Sequence, residues 1–484
     1  MRQYEPYKRL LRFVSAAALM GIETGIYSFI WNGYFNRVLE FPFWRRGNWL
    51  MIALYAGLLF LFLMTYGGFR IGYLKSGNLI CSQVLSLVFL NLITYVQISL
   101  LDKKFHSPQI LFGMTVIQVL ATSTATWIFQ RLYRTLFPPR RLLLVYGKRP
   151  AFHLMEKIRS REDKYYLEKA VPMELGTDAI IREAEKYDAL IIGDIPAHPR
   201  NELLKRCFEE DIRTYTVPKL SDILLRSSQE LDLFDSPLLL SRNEGMTELQ
   251  KILKRGLDLL VSGAGLALLS PFFLVVGAAI RFTDGGPVFY QQTRLTKDGA
   301  EFQIYKFRTM VQDAEKESGA RLASEHDDRI LPVGRFLRRT RLDELPQLLN
   351  IWKGEMSLVG PRPERPELAA EIEEEIPEFR QRLKVRAGLT GYAQVYGKYN
   401  TTSYDKLKLD LYYIRKYSFW LDLKLILMTP KVMLLKESTE GVKEENRAEE
   451  SGNRMAGVRG SGNREAGARK AGNRKAGNRE NGAE

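Results

Sequence analysis

Four apolar stretches of membrane-spanning length follow one another at the start of the chain, and they constrain its fold more than any other feature. A helix needs about 20 apolar residues to cross the hydrocarbon core of a bilayer, and each stretch approaches that length. The first is too long, and too closely followed by the next, to be a cleaved signal peptide. The sequence therefore predicts four transmembrane helices within residues 1–138. The stretches are Leu11–Trp31, Leu50–Gly67, Leu79–Leu101 and Ile110–Leu132.

Basic residues at the ends of these stretches indicate their orientation, because cytoplasmic loops carry more lysine and arginine than outer ones. Four basic residues precede the first stretch and four follow the last, whereas the two loops between that would lie outside hold three and two. Both ends of the predicted bundle therefore face the cytoplasm. The basic residues at the two ends are Arg2, Lys8, Arg9, Arg12, Arg131, Arg134, Arg140 and Arg141.

A fifth apolar stretch, Leu259–Ile280, has basic residues on both sides and carries Ser270-Pro271 in its middle. Proline removes a backbone donor and bends a helix, and a serine hydroxyl can satisfy a carbonyl freed nearby. Basic flanks fit a re-entrant helix over residues 257–282, which dips into the membrane and returns to the same face. The alternative is an ordinary kinked transmembrane helix, which would place the domains before and after it in different compartments.

Between the two apolar regions, residues 139–245 have the pattern of a small α/β domain. Short β-like runs alternate with amphipathic helical stretches, which predicts a parallel sheet. A nucleotide-binding loop would need a glycine-rich first turn, but the turn over residues 146–150 holds only Gly147. A structural or regulatory role is therefore favoured over ligand binding. The predicted strands are Leu142–Tyr146, Ala189–Ile192 and Thr214–Val217, and the predicted helices are Thr177–Lys186 and Asn201–Glu210.

The 484 residues carry a formal net charge of +15. Such a charge indicates anionic partners, namely phospholipid headgroups, nucleic acid or phosphorylated substrates. Cys81 and Cys207 lie in segments of different character and imply no disulfide, and the four histidines form no metal-ligand pattern. The tail over residues 437–484 repeats Gly-Asn-Arg and is poor in apolar residues. We expect it to be a disordered, solvated tail rather than a segment that binds RNA or lipid.

Positive charge surrounds one adjacent pair of acids within residues 284–397, the part of the chain that is densest in polar motifs. The pair, Asp343-Glu344, stands before an apolar helical stretch that has Pro346 in its first turn. One interpretation is a helix N-cap, a role in which aspartate is common. The other is a nucleophile toward phosphorus, since carboxylates form aspartyl-phosphate intermediates. Both share a physical basis, because a helix N-terminus favours a carboxylate and a phosphate alike.

Four basic residues are available to neutralise a diphosphate substrate, whose clustered negative charges oppose attack by a carboxylate. Phosphoryl transfer is catalysed mainly by positioning and charge stabilisation, which arginine forks and a divalent cation supply. Glu344 offers the oxygen ligands that Mg²⁺ prefers. The alternative for each basic residue is contact with anionic headgroups at the membrane surface. The four are Lys306, Arg308, Arg338 and Arg362.

Four motifs follow one another within residues 250–436, namely Gly286–Tyr290, Tyr305–Met310, Leu342–Leu348 and Met356–Pro363. Together they resemble the bacterial sugar transferase family, the monotopic polyprenyl-phosphate hexose-1-phosphate transferases of capsule, exopolysaccharide and O-antigen synthesis. The preceding residues look like the long form of this family, with a four-helix transmembrane bundle and a degenerate Rossmann-like domain. The resemblance implies a mostly helical monotopic catalytic domain, with a re-entrant membrane helix broken at Ser270-Pro271.

The resemblance also implies the chemistry and the roles of the acidic pair. Asp343 would attack the β-phosphate of a UDP-sugar and release UMP, and undecaprenyl or another polyprenyl phosphate would then take the phosphosugar from the enzyme. Glu344 would support the nucleophile, and both acids would hold Mg²⁺. The enzyme would lie in the bacterial cytoplasmic (inner) membrane with its soluble domains on the cytoplasmic side. Its partners would include anionic phospholipid but no nucleic acid.

A further family motif is matched by the run Gly388–Gly391 and by Gln394. Through it, Gly391 and Gln394 are expected to join the basic residues that bind the phosphates. The sequence departs from the family just before this motif, where Arg386-Ala387 stands in place of the more usual basic residue and proline. Asp410 matches a family acid and is expected to support the site.

Two apolar runs near the motifs leave their location open. One recurs at helical spacing beside acids and arginines, and the other, Leu409–Met428, is rich in aromatic residues and leucine. Either would lie flat at the membrane surface or pack in an ordinary core. The first run consists of Leu368, Ile372, Ile376, Phe379 and Leu383.

The sequence alone leaves two other functions as alternatives. One is a membrane-anchored sensor or scaffold that binds a nucleotide, and the other is a glycosyltransferase that moves the sugar without its phosphate and releases UDP. The leaving nucleotide separates all three. The sequence does not identify the sugar (glucose, galactose or another), the polyprenyl length, the oligomeric state (a homo-oligomer is allowed) or the purpose of the α/β domain and the tail.

Overall fold

The computed structural model describes residues 5–147, 152–231, 235–241, 245–311, 329–397 and 401–434. The predicted tail over residues 437–484 and most of the turn after Gly147 lie outside these ranges. The chain begins with four long helices, and each contains nearly all of one predicted apolar stretch. They are α1 (Lys8–Ile30), α2 (Arg46–Tyr66), α3 (Ser76–Leu101) and α4 (Gln109–Leu136).

These four helices pack around one apolar core. Tyr27 of α1 stacks on Tyr55 of α2 with ring centroids 3.8 Å apart, and Leu90 and Met114 are buried in the same cluster. The outward faces are apolar as well, and large side chains such as Phe112 are exposed there. Soluble proteins rarely expose apolar surface on this scale. The described residues contain five helices long and apolar enough to cross a membrane, which fits the predicted class of membrane protein.

The predicted α/β domain follows α4, and its four strands form a parallel sheet in the order β2-β1-β3-β4. Apolar side chains of β1 and β3 pack on both faces of the sheet. The predicted strands and helices are all present, and strand β2 is an addition. The elements are β1 (Arg140–Tyr146), α5 (Phe152–Arg159), β2 (Tyr165–Pro172), α6 (Thr177–Ala184), β3 (Ala189–Ile192), α7 (Ala197–Glu209), β4 (Thr214–Thr216) and α8 (Leu220–Arg226), followed by an antiparallel pair, β5 (Gln229–Leu231) and β6 (Leu238–Leu240).

The fifth apolar stretch lies in helix α9 (Glu248–Asp284), which begins earlier than predicted and runs through Pro271. Proline at this position cannot donate to the carbonyl four residues before it, which belongs to Ala267. The Ser270 hydroxyl donates to that carbonyl at 2.8 Å, so the predicted satisfaction of the freed acceptor is confirmed. Gly285 ends the helix at φ 71°, a left-handed conformation that glycine adopts without strain.

One face of α9 packs against the region that follows it, from Leu257 to Ile280. The opposite face presents Leu260, Leu268 and Leu274 as exposed apolar side chains. The helix therefore lies along the region after it over much of its length. The re-entrant path stays a prediction.

The region after α9 combines short helices with two small sheets. Strands β7 and β8 form an antiparallel hairpin, and β9 and β10 pair in parallel. The elements are β7 (Phe289–Leu295), β8 (Glu301–Phe307), α10 (Pro332–Thr340), α11 (Gln347–Lys353), β9 (Ser357–Val359), α12 (Pro366–Glu375), β10 (Gly388–Thr390), α13 (Tyr392–Tyr396), α14 (Ser403–Arg415) and α15 (Phe419–Leu434).

The two apolar runs whose location was open contribute to the core. Phe379 of the first run is buried in a cluster with Leu407 and Leu411 of α14, and Ile372 and Ile376 pack against it. Buried residues of the second run include Leu411 itself and others of α14 and α15. Core packing is therefore confirmed for these side chains.

The region after α9 also contacts the four N-terminal helices and the α/β domain. Lys431 of α15 donates to the carbonyl of Tyr66 at the end of α2, over 3.2 Å. Lys157 of the α/β domain forms an ion pair with Asp405 of α14 at 2.7 Å. These contacts bring the three parts together around α14 and α15.

Candidate active site

The acidic pair lies in a single 3₁₀ turn, Leu342–Glu344, between α10 and α11. Arg341 stands before the turn at φ 57°, a left-handed conformation that few non-glycine residues adopt. The next helix begins only at Gln347, and no side chain caps its N-terminus. The helix N-cap interpretation of Asp343 is therefore wrong, because the acids lie one turn before the helix they were expected to cap.

Glu344 accepts hydrogen bonds from two basic residues of the predicted set. Its Oε1 atom is 2.9 Å from Lys306 Nζ and 2.9 Å from Arg362 Nη2, and the Arg341 guanidinium lies 3.9 Å away. Only 9% of the residue is exposed. Burial alone would raise the pKa of this carboxyl, but Arg362 and Lys306 outweigh it and hold the pKa well below its usual range. Glu344 is thus an ionised carboxylate that several cations share.

Asp343 has a different environment from its neighbour. Its Oδ1 atom is buried and has no hydrogen-bond partner among the described residues. Burial, together with the adjacent Glu344 charge, raises the pKa of Asp343, and Lys306, Arg341 and Arg338 oppose that rise. An oxygen that accepts no hydrogen bond keeps its lone pairs available for a bond to an electrophile. The two acids are therefore suited to different tasks.

Arg308 turns away from this pair and binds another acid. Its guanidinium forms a fork with Asp284 at the end of α9, and its Nε donates to the Pro287 carbonyl at 2.7 Å. Its side chain is 7% exposed. A Cβ at Gly286 would lie 2.5 Å from this guanidinium, so the glycine makes room for it. These contacts join α9 to the end of β8, and they leave Arg308 little freedom to bind a phosphate.

Arg338 lies on α10, where its Nε donates to Thr309 Oγ1 at 2.8 Å. It is close enough to Asp343 for its charge to oppose the rise in that pKa. Lys306, Arg338 and Arg362 therefore gather at the acidic pair, whereas Arg308 does not bind there.

Gly391 and Gln394 pack against the segment that carries Arg362. A Cβ at Gly391 would lie 2.1 Å from the Gly360 carbonyl, so only glycine fits this approach of two backbones. Gln394 donates to the Leu389 carbonyl at 3.3 Å, and its Oε1 is buried without a hydrogen-bond partner among the described residues. Gly391 thus shapes the segment that carries Arg362, and Gln394 binds the neighbouring strand β10.

Asp410 is buried on α14 and pairs with Arg382, 2.9 Å from its Nη2 atom. The same guanidinium donates to the carbonyl of Arg362 at 2.9 Å. Among the described residues, Asp410 is linked to the site through Arg382, which the sequence analysis did not predict. In the sequence, Arg382 stands beside an apolar run at helical spacing, and a solvent-exposed arginine would give the same pattern.

Ser270 and Pro271 lie within α9, where the Ser270 hydroxyl donates to the Ala267 carbonyl. No group of three or more histidine, cysteine, aspartate or glutamate side chains that would hold a metal is found in the described part of the chain. Asp343 and Glu344 fit Mg²⁺ only in part. Asp343 offers an oxygen without a partner, whereas Glu344 Oε1 already accepts from two cations.

The glycines at the ends of β1 and β3 have a structural explanation. A Cβ at Gly147 would lie 3.0 Å from the Asp194 carbonyl, and one at Gly193 would lie 2.8 Å from the Val145 carbonyl. The two loops approach each other too closely for side chains. These contacts account for both glycines, and the nucleotide-binding interpretation of the α/β domain stays a prediction.

Comparison with known proteins places these residues in a family. Residues 249–436 match the family described as bacterial sugar transferase. The chain is 33% identical over 344 residues to a UDP-N-acetylgalactosamine-undecaprenyl-phosphate N-acetylgalactosaminephosphotransferase of Aeromonas hydrophila, covering 68% of this chain and 74% of that protein.

Two further relatives match over shorter segments. A UDP-glucose:undecaprenyl-phosphate glucose-1-phosphate transferase of Klebsiella pneumoniae is 37% identical over 45% of this chain and 46% of its own length. A protein of the same description from Caulobacter vibrioides is 41% identical over 37% of this chain and 69% of its own length. The match thus spans less than half of the Klebsiella protein. Since the Aeromonas relative is covered over most of its length and the family match contains the acidic pair with its cations, the chain belongs to the bacterial sugar transferase family.

Proposed function

We propose that this protein transfers a sugar 1-phosphate from a UDP-sugar to undecaprenyl phosphate and releases UMP, as the first membrane step of exopolysaccharide, capsule or O-antigen synthesis. The observation that carries the proposal is the acidic pair itself. One carboxylate is neutralised by Lys306 and Arg362, and the other, Asp343, keeps a buried oxygen for which the described residues supply no hydrogen-bond partner. The descriptions of the relatives supply the substrate class.

Asp343 would act as the nucleophile. Its carboxylate attacks the β-phosphorus of the UDP-sugar, the bond from that phosphorus to the bridging oxygen breaks, and UMP leaves with the electron pair. The sugar phosphate is then bound to the enzyme as an acyl phosphate. A terminal oxygen of undecaprenyl phosphate attacks the same phosphorus and expels the Asp343 carboxylate, giving undecaprenyl-diphosphate-sugar. A covalent intermediate divides one hard displacement into two easier ones.

Lys306 and Arg362 would exchange part of their contact with Glu344 for the phosphates of the donor. Charge-assisted hydrogen bonds from preorganised cations stabilise the negative charge that develops on phosphoryl oxygens. Arg338 lies near enough to Asp343 to add to this field. Gly391 and Gln394 would shape the phosphate pocket through the loop that carries Arg362.

A Mg²⁺ ion is proposed as the cofactor, held by Asp343 with support from Glu344. Bound there with substrate phosphates, it would neutralise the charge of the diphosphate. The partnerless oxygen of Asp343 supports this assignment. The cations on Glu344 make that residue the weaker ligand of the two.

The proposed location is the bacterial inner membrane, with α1–α4 as a four-helix transmembrane bundle and α9 as a re-entrant helix. Near one end of α9, Lys254 donates to the Val359 carbonyl, and at the other end Asp284 binds Arg308. Both ends thus contact one domain, which supports a shared cytoplasmic side near anionic phospholipid. Cysteines introduced just before Lys251 and just after Arg281 should react from the same side, and labelling from opposite sides would exclude the hairpin.

The deciding experiment is Asp343→Asn in the full chain, assayed for UMP release across a set of UDP-sugars. We expect turnover to fall by roughly 1,000-fold or more, with membrane insertion unchanged. The matched control is Asp298→Asn, because the Asp298 side chain is 75% exposed in the same domain. Near-normal turnover of the Asp343 variant would remove the nucleophile from the proposal.

The products test the other candidate functions in the same assay. Release of UDP instead of UMP would indicate a glycosyltransferase that leaves the phosphate behind. Binding of nucleotide without turnover by any donor would favour the sensor or scaffold. Intact-mass analysis with the donor alone should show a phosphosugar adduct on the wild-type chain and none on Asp343→Asn.

A further inference from the structure

The segment that presents Arg362 is held by its own backbone carbonyls. The Val359 carbonyl accepts from Lys254 at 2.9 Å, and the Pro361 carbonyl accepts from the Gly388 amide at 2.9 Å. The next two carbonyls accept from arginines over 2.9 and 3.2 Å. Four of the five carbonyls from 359 to 363 therefore have a fixed donor. The two arginines are Arg382, which binds the Arg362 carbonyl, and Arg294, which binds the Pro363 carbonyl.

Arg382 is the most enclosed of these donors, with 4% of its side chain exposed. Its Nε lies 3.1 Å from Asp410 Oδ2 and its Nη1 lies 3.4 Å from Glu364 Oε1. The guanidinium also stacks 4.8 Å from the centre of the Phe379 ring. A buried charge persists only where it is paired and hydrogen-bonded, and Asp410 meets that requirement. The Nη2 atom lies 2.9 Å from Asp410 Oδ2 and also donates to the Arg362 carbonyl.

That carbonyl belongs to the residue whose side chain contacts Glu344. The Arg362 side chain is 42% exposed, so packing alone does not fix it. A hydrogen bond to its backbone fixes the point from which the side chain extends. Preorganised donors act in catalysis only when the groups behind them hold their position.

We propose that Arg382 is a positioning residue of the transfer reaction, which fixes the Arg362 guanidinium on Glu344 by binding the Arg362 carbonyl, with Asp410 as its counter-charge. The proposal rests on the proposed function. It assigns to Asp410 the task of holding Arg382 and gives neither residue contact with substrate. The role needs the guanidinium of an arginine, since a single lysine ammonium group cannot bind Asp410 and the Arg362 carbonyl with the same geometry.

The test is a double-mutant cycle between positions 382 and 362 in the full chain, reconstituted in nanodiscs. Arg382→Met should lower kcat for UMP release on the order of 100-fold, as displacement of a catalytic group by about 1 Å does, with a far smaller change in the donor KM. In an Arg362→Met background the same substitution should have little further effect, because its target is gone. Arg382→Lys should behave like Arg382→Met.

A merely structural role would not produce this coupling. The control is Arg200→Met, which removes an arginine that is 9% exposed in its own fork with Asp222 in the α/β domain. That variant should lose stability yet keep kcat at temperatures well below unfolding. Equal losses from Arg382→Met with and without Arg362 would overturn the proposal.

Hydrogen exchange gives a readout that does not need activity. Amides of residues 357–364 should exchange faster in Arg382→Lys than in the wild-type chain or in Arg200→Met, and unchanged exchange would overturn the proposal. If Arg382→Met fails to fold, Arg382→Lys and Asp410→Asn replace it in the cycle. If the wild-type chain releases no UMP from any donor, the proposed function fails, and the exchange result still decides the role of Arg382.

Discussion

The Arg308–Asp284 pair allows a sharp test of which basic residues serve structure and which serve the substrate. Arg308→Met removes the fork on Asp284 and the donor to the Pro287 carbonyl. Asp284→Asn weakens the same contact from the other side, but it leaves the arginine in place. If Arg308 joins α9 to β8, both substitutions should affect stability and neither should stop catalysis.

The loss in free energy of unfolding expected for Arg308→Met depends on how far the pair is buried. Removing one partner of a buried pair destabilises a protein by about 3–5 kcal/mol. The Asp284 side chain is 23% exposed, so water replaces part of the lost interaction and we expect about 2–3 kcal/mol. In a domain of about 150–250 residues this lowers the melting temperature by roughly 5–10 °C. Asp284→Asn should have a smaller effect in the same direction, because the amide oxygen still accepts from Arg308.

The assay compares thermal unfolding and UMP release for the wild-type chain, both single variants and the double variant. Turnover is measured at least about 15 °C below the lowest melting temperature, so that every sample is folded. We expect turnover within about threefold of wild type, and destabilisations that are not additive, since both changes break one contact. The reasoning is refuted if Arg308→Met abolishes turnover while Asp284→Asn does not. That pattern would mean that Arg308 binds the phosphates.

Two further predictions concern residues outside this pair. Gly391→Ala should lower turnover by about 100-fold, because its Cβ would lie 2.1 Å from the Gly360 carbonyl and displace the Arg362 segment. The matched control is Gly256→Ala, whose Cβ meets nothing within 4 Å. Equal activity of both variants would contradict the prediction. Burial and the nearby Arg161 and Arg12 lower the pKa of Lys164 to about 8. Below pH 8 the charged side chain therefore destabilises the folded state. This loss of stability fades as the pH rises toward 10.5, the pKa of the lysine in the unfolded chain. Lys164→Met should therefore raise stability at pH 7 by roughly 1–2 kcal/mol and flatten the rise between pH 8 and 10, which thermal melts across that range would show.

The apolar helices and three strands of the parallel sheet, β1, β3 and β4, were predictable because their signals are local. Hydropathy located α1–α4 to within a few residues of their ends, and Ser270 satisfies the carbonyl that Pro271 leaves free, as the dipeptide predicted. Strand β2 was missed because Tyr165–Pro172 carries charged residues and buries only Val171, and its pairing with β1 shows that it is a strand. An edge strand of this kind has no apolar run to mark it.

Partners across the chain were not predictable from the residues. Lys306 and Arg308 are two positions apart in one motif, yet one binds Glu344 and the other Asp284. The pairing of Lys254 with Asp422 joins residues that are 168 positions apart. A sequence shows which side chains are charged, but the fold decides which charges meet. For the same reason the N-cap interpretation of Asp343 failed, since it depended on where α11 begins.

The buried cations of this region fall into two kinds, and the difference bears on where a diphosphate would bind. Lys254 and Arg382 each pair with a buried carboxylate, so withdrawing the cation would leave a buried acid without its counter-charge, and Arg308 is committed to Asp284. At Glu344, by contrast, one carboxylate is shared by Lys306, Arg362 and the more distant Arg341. An incoming phosphate can bind one of these donors while Glu344 keeps another, so both the phosphate and the Glu344 carboxylate stay paired with a cation. Beside Asp343 the described cations thus outnumber the carboxylates, and this excess is what an anionic donor requires of a site that also contains its nucleophile.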